Sequence, residues 1–561
     1  MTRHILWQAV LALLGIALTF IILFQLGSDL TTVEVPATGG TYIEGVLGYS
    51  ETINPILSPL MVQANPVDQD LSTLVFDGLT TLDETGQVSP SLAIDWEVSE
   101  DGSVYEFYLR RDVTWQDGAP FTADDVAFTV QAMQDPNYRG DPTVRELWRN
   151  VTVKKLDEHT VRFTLAEPFP SFIYYTTIGL LPTHLLSNVP AADLPTHDFS
   201  RRCPVGTGMF QVESASPDRV ALVANPNYWG PKPYLERLEF RFFGDWDGLL
   251  AAYERGEIHG FHLDRPQHLP LLAKMPSLKL YSAQSAGYGL IYLNLKQETA
   301  PFFQEKEVRQ ALLYALDRQA LIDQVLRGQG LVADSPILPT TWAYDPSIRR
   351  YLYDPERAIG LLDASDWLDS NADRIRDKDG VDLAFRLLTS DDPTMVQMAK
   401  EIARQWQAIG VDVTIRSVSS EAVTHFVRHR NFDAVLIEIG LVADPDPYPL
   451  WHSTQAGEPG QNFAGFANEE ADIVMEEGRL STDVERRSQL YCTFQQIFAE
   501  EVPSLLIYYP IYTYAVDEQV RQVQLSPMLH TSDRFCNIQE WYLETREITV
   551  SPKGELDKTG E

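Results

Sequence analysis

Leu71–Val130 reads LSTLVFDGLTTLDETGQVSPSLAIDWEVSEDGSVYEFYLRRDVTWQDGAPFTADDVAFTV. Asp77-Gly78, Asp101-Gly102 and Asp117-Gly118 are turn dipeptides, because Gly tolerates positive φ and Asp hydrogen-bonds its own backbone. Between the last two, Tyr105, Phe107 and Leu109 alternate with Glu106, Tyr108 and Arg110, the period of a half-buried strand. Thr122 is placed to cap a helix that opens with Asp124 and Asp125 and runs from Val126 to Met133. The stretch is a compact α+β subdomain with no catalytic group at its turns.

Working outward, 561 residues exceed what one core organises, so two or more domains are expected. A hydrophobic content of 44% with 11% aromatics marks a globular chain. The net charge of −35, from 44 basic and 79 acidic side chains, excludes nucleic acid as a partner, since no basic surface is available to replace counterions. Cys203, Cys492 and Cys536 lack C-x-x-C spacing; they read as buried thiols or, in an exported chain, as a Cys492–Cys536 disulfide with one thiol left over.

Ile5–Leu26 is apolar apart from Gln8, Thr19 and Gln25. As a helix it would span ~33 Å against a hydrocarbon core of ~30 Å. No small-x-small site closes the run, so an uncleaved signal anchor over residues 1–30 is expected in preference to a cleaved signal. Arg3 and His4 before the run, with Asp29 and Glu34 after it, put the N-terminus in the cytoplasm and the body outside. Residues 31–38 read as a polar linker and 547–561 as a disordered tail.

Further along, Tyr288–Asn294 reads as a strand. Val308–Leu326 reads as one helix, with Val308, Ala311, Leu312, Ala315, Ile322, Val325 and Leu326 on one face. Val396, Ala399, Ile402, Ala403 and Trp406 form another apolar face, stopped by Gly410 before the alternating strand Val411–Arg416. Helix, Gly, strand is the joint of a layered α/β domain.

Val75-Phe76-Asp77-Gly78-Leu79, Pro90-Ser91-Leu92-Ala93, Trp96-Glu97-Val98 and Asp117-Gly118-Ala119-Pro120 stand in order with Pro204-Val205-Gly206-Thr207-Gly208 and Asn225-Pro226-Asn227-Tyr228-Trp229. In this the chain resembles the extracytoplasmic solute-binding proteins, family 5, of the peptide/nickel ABC importers, over about residues 40–546. The resemblance implies an α/β, two-lobed periplasmic-binding-protein-like fold (type II, with an extra subdomain) and a hinge between the lobes. Lobe 1 would comprise 39–280, with 71–196 inserted, and a C-terminal return at 513–546; lobe 2 would comprise 281–512. It also implies a peptide ligand, a permease with its ATPases as partners, no cofactor, and a monomer at the extracytoplasmic face of the membrane.

No G-x-S-x-G, H-E-x-x-H, C-x-x-C or Walker motif occurs, and Gly206-Thr207-Gly208 lacks the Lys-Ser/Thr pair of a phosphate loop. A membrane-anchored hydrolase is therefore the weaker alternative, beside a sensory receptor and a binder of oligosaccharide or metal chelate. Glu421, His425 and His429 share a helical face, for which a solvated polar face is the simpler account than a metal. Asp369, Asp373 and Asp377 resemble a calcium loop, yet Arg374 and Gly380 stand where Gly and a bidentate Glu are needed.

Ile439–Trp451, with Asp444-Pro445-Asp446-Pro447, is a rigid loop. By the resemblance Asp444 holds a peptide α-ammonium, with Asp446 a second acidic contact, Ser58 a further cleft residue, and Tyr288 and Trp451 aromatic walls. Two departures speak against dipeptides: Thr389-Ser390-Asp391-Asp392-Pro393 has no Arg for a ligand carboxylate, and Leu441 replaces an aromatic. A peptide longer than a dipeptide is the expected cargo.

Overall fold

The computed structural model describes residues 7, 12–19, 31–59, 65–83, 86–296 and 298–550. The decisive stretch folds as its local signals dictate except at Asp77-Gly78, which is no turn: Gly78 lacks a positive φ and is packed against the Thr177 carbonyl. Val104–Leu109 buries Tyr105, Phe107 and Leu109 and lies between Ala93–Val98 and Thr160–Leu165, with Val151–Asp157 completing an antiparallel sheet. Thr122 and Asp125 form a reciprocal capping box at the start of helix Ala123–Gln134, which buries Val126, Val130 and Met133.

The motifs that carry the family resemblance converge on one joint between this subdomain and lobe 1. Thr207 Oγ1 and Trp229 Nε1 donate to Asp77 Oδ2 at 3.0 and 2.9 Å, and the Arg110 guanidinium lies 4.3 Å over the Trp229 ring. Gln116 Oε1 accepts from Gly206 N at 2.9 Å, while its Nε2 donates to Phe210 O at 2.8 Å. Gly206 and Gly208 pack so closely on the backbone of Val75 that a Cβ on either would overlap its carbonyl. These glycines serve close backbone approach, not phosphate binding.

Two sheets share one strand. In lobe 1 the order is Phe210–Ser216, Arg219–Ala224, Arg237–Phe243, Thr41–Leu47 and Gly260–His262, then the C-terminal half of Ser504–Asp517, flanked on its far side by Leu278–Gln284. In lobe 2 the order is Asp412–Val418, Ala384–Ser390, Ala434–Gly440 and Gly287–Leu293, then the N-terminal half of Ser504–Asp517 with Gly330–Val332. The chain thus crosses between the lobes at 284–287 and at 509–512, two neighbouring segments that make the hinge. Arg534 binds the C-terminal return to lobe 1, its Nε donating to Glu44 Oε1 at 3.2 Å and its Nη2 to Asp70 Oδ2 at 2.6 Å.

Several expectations are corrected. Residues 31–38 are not a linker: Thr31–Ala37, rich in β-branched side chains, pairs antiparallel with Glu544–Val550 from Thr31↔Val550 to Ala37↔Glu544. Residues 547–550 are therefore strand and not tail, and the rest of the expected tail, 551–561, lies outside the described residues. Val308–Leu326 is two helices, Lys306–Tyr314 and Arg318–Val325, because Asp317 turns out of the first and caps the second through Ala320 N. No disulfide joins Cys492 to Cys536, and the buried-thiol reading fails as well, since Cys203 and Cys536 are exposed.

The expected span Ile5–Leu26 lies for the most part outside the described residues. Residues 12–19 are helical and exposed, and among the described residues no helix is long and apolar enough to cross a membrane. At Asp369–Asp377 the carboxylates bond their own loop, Asp369 accepting from Asp373 N and Arg374 N and Asp377 from Ser370. No group of three or more metal-ligating side chains occurs among the described residues.

Candidate functional site

Between the lobes lies a cleft of about 1960 Å³. At one end it meets the hinge residues Ser285, Tyr508, Pro510 and Tyr512; lobe 1 supplies Phe169, Tyr175, His262 and Arg265, and lobe 2 supplies Asp392, Glu438 and the loop 441–447. At the other end the inserted subdomain meets lobe 2. There the Arg479 guanidinium lies 5.4 Å over the Phe169 ring, and burial, with the charge of Asp444 adding to it, pushes the Tyr175 phenol up to about 12.

The loop takes its shape from its own aspartates. Strand Ala434–Gly440 ends at the cleft, and Leu441 N donates to Ala286 O at 3.0 Å. Asp444 Oδ1 then accepts from Asp446 N, and Asp446 Oδ1 from Tyr448 N, both at 3.0 Å, two successive Asx turns held by Pro445 and Pro447.

Asp444 lines the cleft wall but is already partnered. Arg487, from helix Val484–Glu501, donates through Nη2 to Asp444 Oδ1 and Oδ2 at 2.8 and 3.1 Å and through Nε to Gly478 O at 3.1 Å. Both side chains are at most 5% exposed. An ammonium arriving here would share the carboxylate with a guanidinium. Asp446 also lines the cleft; burial pushes its carboxyl up to about 6, opposed chiefly by Arg479 at 3.4 Å.

Trp451 contributes to the wall but is 1% exposed, its ring 4.7 Å from that of Phe498. Tyr288 does not line the cleft: Gly287–Leu293 runs between two strands of the lobe 2 sheet and is buried throughout. Ser58 is likewise buried in lobe 1, away from the cleft lining, its N–H donating to Asn54 O at 3.1 Å.

Glu438 is the residue that sequence reading passed over. Its signal is a lone carboxylate in the apolar strand Ala434-Val435-Leu436-Ile437-Glu438-Ile439. It lines the cleft and is exposed there. Burial holds its carboxyl above the usual range, and the hydrogen bond from Tyr508 Oη at 2.9 Å only partly offsets this. The segment 389–393, where an Arg was missing, lines the cleft through Ser390 and Asp392, so that wall carries a carboxylate and no cation.

The sequence profile described as "Bacterial extracellular solute-binding proteins, family 5 Middle" matches residues 87–461. The chain belongs to this family. It is 30% identical over 517 residues to the oligopeptide-binding protein AppA of Bacillus subtilis, covering 91% of this chain and 92% of that one. It is 27% identical over 470 residues to the dipeptide-binding protein of Escherichia coli, with 79% and 85% covered. Among solved structures, AppA of B. subtilis in complex with a nonapeptide superposes with a TM-score of 0.71 at 29% identity, covering 91% of this chain and all of that one. NikZ of Campylobacter jejuni in complex with Ni(L-His) superposes at 0.73 with 28% identity, over 90% and 99%. The two-lobed α/β fold of an extracellular solute-binding protein is thereby shown.

Proposed function

We propose that this family 5 protein is the substrate-binding component of an ABC importer and captures peptides longer than dipeptides in the interlobe cleft. The cleft itself carries the reading: about 1960 Å³ is roughly twice the ~1,000 Å³ at the upper end for pockets enclosing a drug-sized ligand. Walls from both lobes, joined by a two-segment hinge, suit capture by closure. The absence of a cation at 389–393 suits a ligand held along its backbone more than one gripped by its carboxylate. Asp444 accepts three hydrogen bonds of the four or so a carboxylate accommodates, so one position remains beside Arg487 for a ligand N–H.

The closed complex then delivers its cargo to the permease subunits and their ATPases. The protein works as a monomer at the extracytoplasmic face, tethered through its N-terminal apolar run or released after cleavage of it. Native mass spectrometry of the body purified from its own cells tests this: co-purified masses that resolve into peptides of three or more residues are expected. A bound sugar, haem or metal chelate in their place would overturn the reading.

A further inference from the structure

Several carboxylates of the cleft wall are already engaged by the protein. Asp444 has Arg487, Asp446 has Arg479, and Asp264 has His268 at 2.6 Å. Asp392 is engaged as a helix cap, accepting from Thr394 N and Met395 N. Glu438 has no cation within ion-pair distance among the described residues; its one hydrogen bond comes from Tyr508. The lobe 1 groups Arg265 and His262 line the same cleft without pairing with it.

The local backbone is arranged around this carboxylate. Glu438 stands opposite Gly289 in the antiparallel register, and the Tyr508 ring fills the space a side chain at Gly289 would take. That placement brings Tyr508 Oη to Glu438 Oε2, and Glu438 lines the cleft. The Asp392 charge also acts on Tyr508. A cation brought by the ligand would give this carboxylate the charged hydrogen-bond partner that the protein does not supply.

We infer that Glu438, oriented by Tyr508, is the recognition group for a cationic nitrogen of the ligand and makes this protein selective for peptides that carry one near the hinge end of the cleft. The inference rests on the peptide reading above and names the charge its cargo carries. An ammonium at the peptide N-terminus and one on a basic side chain offer the same chemistry.

The test is calorimetric titration with alanine pentapeptides: N-acetylated with one norleucine, N-acetylated with lysine at each position in turn, and free at the N-terminus with norleucine. A charge-assisted hydrogen bond supports a preference of about 10–100-fold for a cation-bearing peptide over the acetylated norleucine peptide. Preference for a lysine position identifies a side chain as the source; preference for the free terminus identifies the α-ammonium. In Glu438→Gln the preference falls below about threefold while the norleucine peptide binds as before. Tyr508→Phe, which keeps the ring over Gly289, loses a smaller part of it and serves where the first variant folds poorly. Equal affinities for all peptides in the wild-type protein, or a preference that survives in both variants, overturns the inference and leaves the peptide reading standing. A wild-type protein that binds none of them refutes the peptide reading, and the inference with it.

Discussion

Replacing Asp444 by Asn removes one charge from a pair in which both side chains are at most 5% exposed. The Arg487 guanidinium would remain enclosed, with Gly478 O and Tyr491 Oη as its remaining hydrogen-bond acceptors and the Trp342 ring 5.0 Å from its centre. Breaking a buried pair from one side costs about 3–5 kcal/mol, much of it the stranded charge. For a domain the size of lobe 2, at 2–4 °C per kcal/mol, that is a fall in Tm of about 6–20 °C. Asn retains an oxygen for Asp446 N, so the loop's first Asx turn survives and the effect reports the pair. Calorimetric melting of Asp444→Asn, Arg487→Met and the double variant checks this. The double variant should recover part of the loss, because it leaves no unpaired buried charge. A single variant that melts within about 1 °C of the wild type while losing peptide affinity would refute the structural role and make Asp444 a ligand anchor alone.

Asp446→Asn tests the raised carboxyl beside it. Between about pH 4 and pH 6 the folded state holds a proton that the unfolded chain has released, so this group lowers stability as pH rises, by up to about 3 kcal/mol above pH 6. The Asn variant should therefore gain on the wild type between pH 4 and pH 7 in urea melts, and an equal difference at both pH values would contradict the cause given. Gly206→Ala puts a Cβ into Val75 O, backbone that cannot swing aside. It should cost more than the ~1–3 kcal/mol of ordinary overpacking and sharply reduce soluble yield, and a variant with wild-type melting would show that the joint yields.

The fold was legible where signals are local. The capping box at Thr122 and Asp125, the alternation at Tyr105, Phe107 and Leu109, and the turns at Asp101-Gly102 and Asp117-Gly118 each need only a few neighbours, and each is found as read. What escaped depends on distant partners. Nothing in Thr31–Ala37 says that Glu544–Val550 will pair with it, and nothing in Ser504–Asp517 says that one strand serves two sheets. The cleft shows the same division. The prolines and aspartates of 444–447 announced a rigid loop, but not that Arg487, on a later helix, occupies the first carboxylate. Tyr288–Asn294 reads as a strand, and only the fold shows the Tyr508 ring above Gly289 and Glu438 across from it.

Titration calorimetry with a series of peptides from two to nine residues, identical in composition, bears most directly on capture in the interlobe cleft. Affinity should be weak for the dipeptide, rise over the next few residues as both lobes are engaged, and level off once the cleft is filled. Binding that is tightest at two residues, or absent at every length, would contradict the account.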